Sequence, residues 1–140
     1  MFTFGREHEL RCALAYVRKP EQAALVSAVV NAIHDLIDGT ATHEPVQDAI
    51  ANAFVSGGSG VWEMAGSWLR KVAGHYPELS GIWTTLAQHE SANVRFRAAC
   101  FLNEMPAREF AELSLGDDKS KKVATMARSR IQEVAQRAAN

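Results

Sequence analysis

The sequence predicts an all-α fold: an α-solenoid of about four antiparallel helix pairs, eight helices within a single domain spanning 1–140. Three observations point to it. The first is a recurring apolar set, Leu25-Val29-Ile33-Leu36, Val61-Ala65-Leu69-Val72, Val94-Ala98-Leu102-Met105 and Val123-Ala127-Ile131-Val134. Each set steps by four, four and three residues, which places its side chains on one helical face. The second is the distance between sets, whose starts lie 36, 33 and 29 residues apart, the period of stacked helical repeats. The third is that no segment alternates apolar and polar residues long enough to make a strand. Approximate repeats follow at 6–38, 44–74, 77–105 and 107–138.

The elements can be justified in order. A first helix fits Arg6 to Arg18 and ends at Lys19-Pro20, because the residue before a proline avoids the helical region. Pro20 then opens a second helix, with Glu21 near its positive end. That helix runs to Asp38 and stops at Gly39, a favourable C-terminal residue. A third starts within Thr42 to Pro45 and reaches Phe54 or Val55. Ser56-Gly57-Gly58-Ser59-Gly60 is the strongest breaker in the chain and reads as the turn between two helices of one repeat.

The fourth helix covers Val61 to Ala73, and Pro77 opens a fifth with Leu79, Ile82, Trp83 and Leu86 on one face. Ser91 is placed to cap a sixth helix, Ala92 to Met105, which Pro106 closes. A short seventh helix is expected from Ala107 to Leu115. Gly116-Asp117-Asp118 then breaks and recaps the chain, and the eighth extends from Lys119 toward Ala138.

Composition sets the broad class. Hydrophobic residues make up 47% and charged residues 22% of the 140 positions, as in ordinary globular domains. The net charge of −1 conceals an asymmetry, −4 over residues 1–90 and +3 over residues 91–140. That imbalance can orient an approaching partner but is too small to argue for nucleic acid. The two cysteines, Cys12 and Cys100, fall in distant repeats, which favours free thiols and a reducing compartment. Met1 to Glu7 lacks the basic start and apolar run of a signal peptide. The most apolar stretch, Ala23 to Ile37, is interrupted by Ser27, Asn31, His34 and Asp35, so a core helix is expected there and a membrane span is not. The expected location is the cytoplasm.

Residues Ile82 to Leu102 resemble a HEAT repeat. A first helix rich in leucine-type residues leads into the polar turn Gln88-His89-Glu90-Ser91, and the second helix opens with Val94-Arg95 and continues with Ala98, Ala99 and Leu102. Phe110 to Ile131 is similar in its placing of Leu113, Leu115, Asp117, Val123, Ala127 and Ile131, with Ala124 where the family arginine would stand. The likeness covers 79–134 best, extends less fully to 44–74 and fades before that. It implies a right-handed α-solenoid scaffold, and it implies no particular chemistry.

In HEAT-like stacks the second helix of each pair lines the concave side. Residues facing outward there, with Arg95 beside Phe96, give a candidate partner-binding set of Glu63, Arg70, Arg95, Phe96, Asn103 and Arg128. Phe96 follows Val94 by two positions, about 200° round a helix, so it points away from its own repeat's core. An outward aromatic between Arg95 and Arg97 has the composition of a binding hot spot. The alternative is that Phe96 packs on the adjacent repeat. Trp68 and Trp83 lie on apolar faces and are expected in the core. Trp62, at the margin of its face beside the glycine turn, could instead edge a pocket with Glu63.

Chemistry-bearing constellations are sparse. His8 and Cys12 stand four apart on one helix face, but nothing nearby completes a metal ligand set. The glycine-rich stretch at 56–60 follows a helix and lacks the Lys-Ser/Thr of a phosphate loop. Asp117 and Asp118 read as helix-capping carboxylates. The basic run Lys119, Lys121, Lys122, Arg128, Arg130 and Arg137 reads as a solvated end cap.

These features predict a non-catalytic protein-binding module without metal or cofactor. Small bacterial HEAT-like proteins of this kind include inhibitors, immunity proteins and adaptors. One competing expectation is an enzyme similar to the HEAT-like alkylpurine DNA glycosylases, built from Trp62, Glu63, Arg95 and Phe96, against which the charge balance argues. The other is a self-assembling scaffold joined through Leu10, Leu14 and Val17.

Overall fold

The computed structural model describes residues 4–105 and 113–139. Among the described residues there are seven α-helices and no strand. The expected seventh helix, Ala107 to Leu115, falls largely on 106–112, outside the described residues. Two compact units make up the chain, Met1–Ser80 and Gly81–Asn140. Their boundary falls inside the expected third repeat.

In the first unit, α1 (Arg6–Leu14), α2 (Pro20–Ile37), α3 (Glu44–Ser56) and α4 (Ser59–Ala73) are followed by a 3-10 turn at Pro77–Ser80. Pro20 occupies the first turn of α2, where a missing N–H costs nothing. That helix ends in a Schellman arrangement. Gly39 takes φ 75, its N–H donates to the Leu36 carbonyl at 3.1 Å, and the Thr40 N–H donates to the Asp35 carbonyl at 2.9 Å. A side chain at Gly39 would be strained by that positive φ.

The core of this unit is built by α2, α3 and α4, which pack on one another. It contains Val29, Val30, Ile33, Ile50, Phe54 and Leu69, all essentially without solvent exposure. In α4 all four positions of the apolar set, Val61, Ala65, Leu69 and Val72, are buried, whereas Leu25 and Leu36 at the ends of the α2 set are half-buried.

The break between α3 and α4 is tighter than the sequence suggests. Ser59 and Gly60 belong to α4, which leaves only Gly57 and Gly58 between the helices. Gly57 is buried, and a Cβ there would collide with the Ala53 carbonyl and come within 2.8 Å of Val61 Cγ1. Its backbone φ of −76 suits any residue, so the need for glycine is one of space. Gly57→Ala is therefore expected to cost about 1–3 kcal/mol through overpacking, read as a lower urea midpoint with an unchanged slope.

α1 is attached differently. It packs on α2 but buries none of its own residues; Leu10, Leu14 and Val17 are only half-buried. Polar ties hold it. Arg6 Nη2 donates to Asp35 Oδ1 at 2.6 Å, and His34 Nε2 lies 2.6 Å from Glu9 Oε2. The helix stops at Leu14, four residues earlier than the sequence predicts.

The second unit contains α5 (Gly81–Ala87), α6 (Ala92–Ala99), 3-10 turns at Leu102–Glu104 and Leu115–Asp117, and α7 (Lys121–Ala139). Its core includes Ile82, Leu86, Val94, Ala98, Leu102 and Val123, with the rings of Trp83 and Phe101 5.4 Å apart. α6 is shorter than the expected Ala92 to Met105. Phe101 leaves the helical region at φ −97, ψ 1, and Met105 is extended at φ −97, ψ 153, as a residue preceding proline must be. Leu102 and Met105 are nevertheless buried, so the apolar spacing identified core positions correctly although the backbone is not α-helical there. Ser91 makes no side-chain cap bond to α6; its N–H instead donates to His89 Nδ1 at 3.0 Å.

Candidate functional site

The six candidate residues have very different surroundings. Arg95 is 6% exposed and serves as an internal strut. Its Nε donates to Asp118 Oδ2 at 2.9 Å and its Nη2 to Asp118 Oδ1 at 3.3 Å. Nη1 donates to the carbonyls of His89 and Glu90 at 2.8 and 2.9 Å. The planar guanidinium thus ties the turn before α6 to the segment before α7, with donors directed along a fork that lysine lacks. Arg95 is accordingly corrected from a surface contact to a structural residue.

Asp118 completes this strut. Its Oδ1 also accepts the Ser120 N–H at 2.8 Å, the capping role expected from sequence. Burial acts to raise the Asp118 carboxyl, but it is outweighed. The Arg95 hydrogen bonds, the Ser120 N–H and the charges of Arg95 and Lys119 together hold it below its usual value of 3.8.

Phe96, about 100° further round α6, is half-buried. The Lys122 ammonium sits 4.3 Å from its ring centroid, a cation–π placement. Phe96, Lys121, Lys122, Thr125, Met126 and Ser129 border an open groove of about 630 Å³. From sequence Lys122 is only one member of a solvated charge run; its seat on Phe96 depends on the packing of α6 against α7, which one-dimensional spacing does not encode.

The remaining candidates do not join this groove. Asn103 is half-buried, with Nδ2 donating to Glu133 Oε2 at 3.0 Å, and so ties a 3-10 turn to α7. Arg128 is exposed but lies about 120° round α7 from Lys122. Glu63 and Arg70 are exposed on α4, seven residues apart and so on one face, in the other unit.

The tryptophans exchange their expected roles in part. Trp83 is buried as expected. Trp62 is 9% exposed and packs toward Phe54 with ring centroids 6.1 Å apart. Trp68 is only half-buried and borders a trough between α1 and α4.

That trough consists of two adjoining concavities, of about 410 and 720 Å³, which share Cys12, Ala13 and Met64. Cys12 Sγ lies 3.5 Å from His8 Nε2, as their spacing allows. Among the described residues no group of three or more His, Cys, Asp or Glu is gathered to hold a metal. Also among these residues, no helix is long and apolar enough to cross a membrane.

The fold and these surfaces define an all-helical protein with an open, partly apolar groove in each unit. No protein-family model, curated protein or solved structure matches the chain.

Proposed function

We propose that this is a non-catalytic protein-binding module on a right-handed HEAT-like solenoid scaffold, acting in the cytoplasm as an inhibitor, immunity protein or adaptor. The Phe96 surface carries the reading. A half-buried aromatic with a lysine over its ring and Met126 beside it combines an adaptable apolar contact with a cationic rim, the pairing favoured at recognition surfaces. Full burial of the apolar sets that begin at Val61 and Val94, with two buried members in each of the other two sets, supports the scaffold.

The test is a pull-down from native lysate with wild-type protein beside Phe96→Ala and, separately, Lys122→Glu. Both variants are expected to lose a shared partner while retaining wild-type helicity, and Lys122→Glu to keep its stability within about 0.5 kcal/mol, the range of surface changes. Lys122 is exposed, so its charge reversal remains informative if removal of the Phe96 ring weakens the fold. A partner retained by both variants overturns the assignment of this surface.

A further inference from the structure

We propose that the trough between α1 and α4 is a docking groove for an acidic, amphipathic helix of a protein partner. This does not rest on the Phe96 surface, which lies in the other unit and shares no residue with the trough. The argument begins with what α1 leaves uncovered. Ala13 and Val17 from the α1 side and Met64 from α4 are half-buried, so the apolar floor is open to an incoming side chain. Phe4 and Tyr16 stand at its margin, 76% and 93% exposed. Large apolar side chains left this open on a groove edge gain most when a partner covers them.

Charge decides which partner. Lys71 borders one end of the trough, and Arg18 and Lys19 border the other. None of the three forms an ion pair among the described residues. The positive end of α4 at Ser59 adds to the Arg18–Lys19 end. Among the described residues Glu9 is the one carboxylate bordering the trough, and it is directed to His34. Cations at both ends of an apolar stretch match a ligand with acids at both ends.

A single-headed amphiphile such as a fatty acid would place its tail against one of the cationic ends. A second copy of the chain would have to offer an exposed helix with acidic ends; α2, with Glu21 and Asp35, is packed into the core of its own unit, and α7 opens with Lys121-Lys122 and carries Arg137 in its last turn. From Gly60 to Lys71 the α4 face runs about 16 Å, enough for three turns of a docked helix with anchors at i, i+3 or i+4, and i+7.

Cys12, exposed and shared by the two concavities, provides the readout. The probe is a capped helical peptide of about fourteen residues, with one leucine face and glutamates at both ends. Its control carries lysines in place of the glutamates. Site-resolved mass spectrometry follows alkylation of Cys12 by N-ethylmaleimide in the full chain, with Cys100 as internal reference. The acidic peptide is expected to slow Cys12 alkylation about fivefold or more below ~1 mM, the weak limit of specific association, leaving Cys100 unchanged. The lysine peptide is expected to have no effect.

Lys71→Glu and the double change Arg18→Glu/Lys19→Glu should each abolish that protection. All three residues are exposed, so circular dichroism should be unaltered, and Phe96→Ala should leave protection intact. The proposal is overturned by equal protection from both peptides, by no protection from the acidic one, or by protection that survives charge reversal. Protection by dodecanoate alone would assign the trough to a small amphiphile. Protection that grows with protein concentration alone would assign it to self-association. Either result would replace the proposed occupant.

Discussion

Replacing Arg95 by alanine is expected to destabilise the Gly81–Asn140 unit by about 3–5 kcal/mol, the cost of breaking a buried ion pair from one side. Three consequences act together. Asp118, with a side chain only 9% exposed, loses its counter-charge. The carbonyls of His89 and Glu90 lose their donor. A cavity replaces the aliphatic stem. Arg95→Glu should be worse still, since it sets two carboxylates against each other.

Hydrogen exchange resolved by peptide is the suitable measurement. Faster exchange should appear across α5, α6 and α7, while α2, α3 and α4 keep wild-type protection. The double change Arg95→Met/Asp118→Leu should recover much of the loss, because removing both charges relieves the uncompensated one. Wild-type protection in Arg95→Ala would show that the strut is dispensable.

The same pair gives the unit an acid limb. The folded Asp118 carboxyl is held below its ordinary value of 3.8. The folded state therefore binds the proton less readily than the unfolded chain. The stabilisation is fully present above 3.8 and is lost as pH falls toward and through the depressed folded value. Asp118→Asn should remove that component, flattening the acid limb of this unit while lowering its stability at neutral pH.

Phe54→Ala is expected to cost the Met1–Ser80 unit a similar amount, about 3–5 kcal/mol, and by a different mechanism. Phe54 has 0% exposure and lies at the meeting of α3 with α4, against the Trp62 ring. Deleting the ring removes transfer free energy and leaves a void that buried neighbours can only partly fill. Urea unfolding followed by tryptophan emission should show a lower midpoint. Phe54→Leu, which keeps most of the volume, should lose about 1.5 kcal/mol or less. Equal losses for the two would show that the void is not the main source of the instability.

Helix positions were legible because they depend on neighbours in sequence. Pro20, Gly39 and Gly57 act on their own dihedrals or on residues within a turn, and apolar spacing reports which face meets the core. The spacing also located Leu102 and Met105 in the core, though it could not register that the backbone there had left the α-helix. The candidate site was less legible. Among Arg95, Phe96 and Asn103, Phe96 borders an open groove, and nothing local distinguishes it from its neighbours. Arg95 is withdrawn by Asp118, twenty-three residues later, and Asn103 by Glu133, thirty residues later. The α1–α4 trough escaped notice because its walls come from helices separated in sequence and its cations belong to no motif.

The sequence by itself determined the helical class, most helix starts and stops, and the buried stripe of α4 with parts of the stripes of α2 and α7, since propensity, capping and periodicity act over one to four residues. Tertiary structure alone decided which charged residues became struts, which aromatics stayed open, and where two helices left a groove between them. Those outcomes depend on distant side chains meeting: a guanidinium leaves water only where a carboxylate and free carbonyls await it, and a groove exists only once both of its walls are in place.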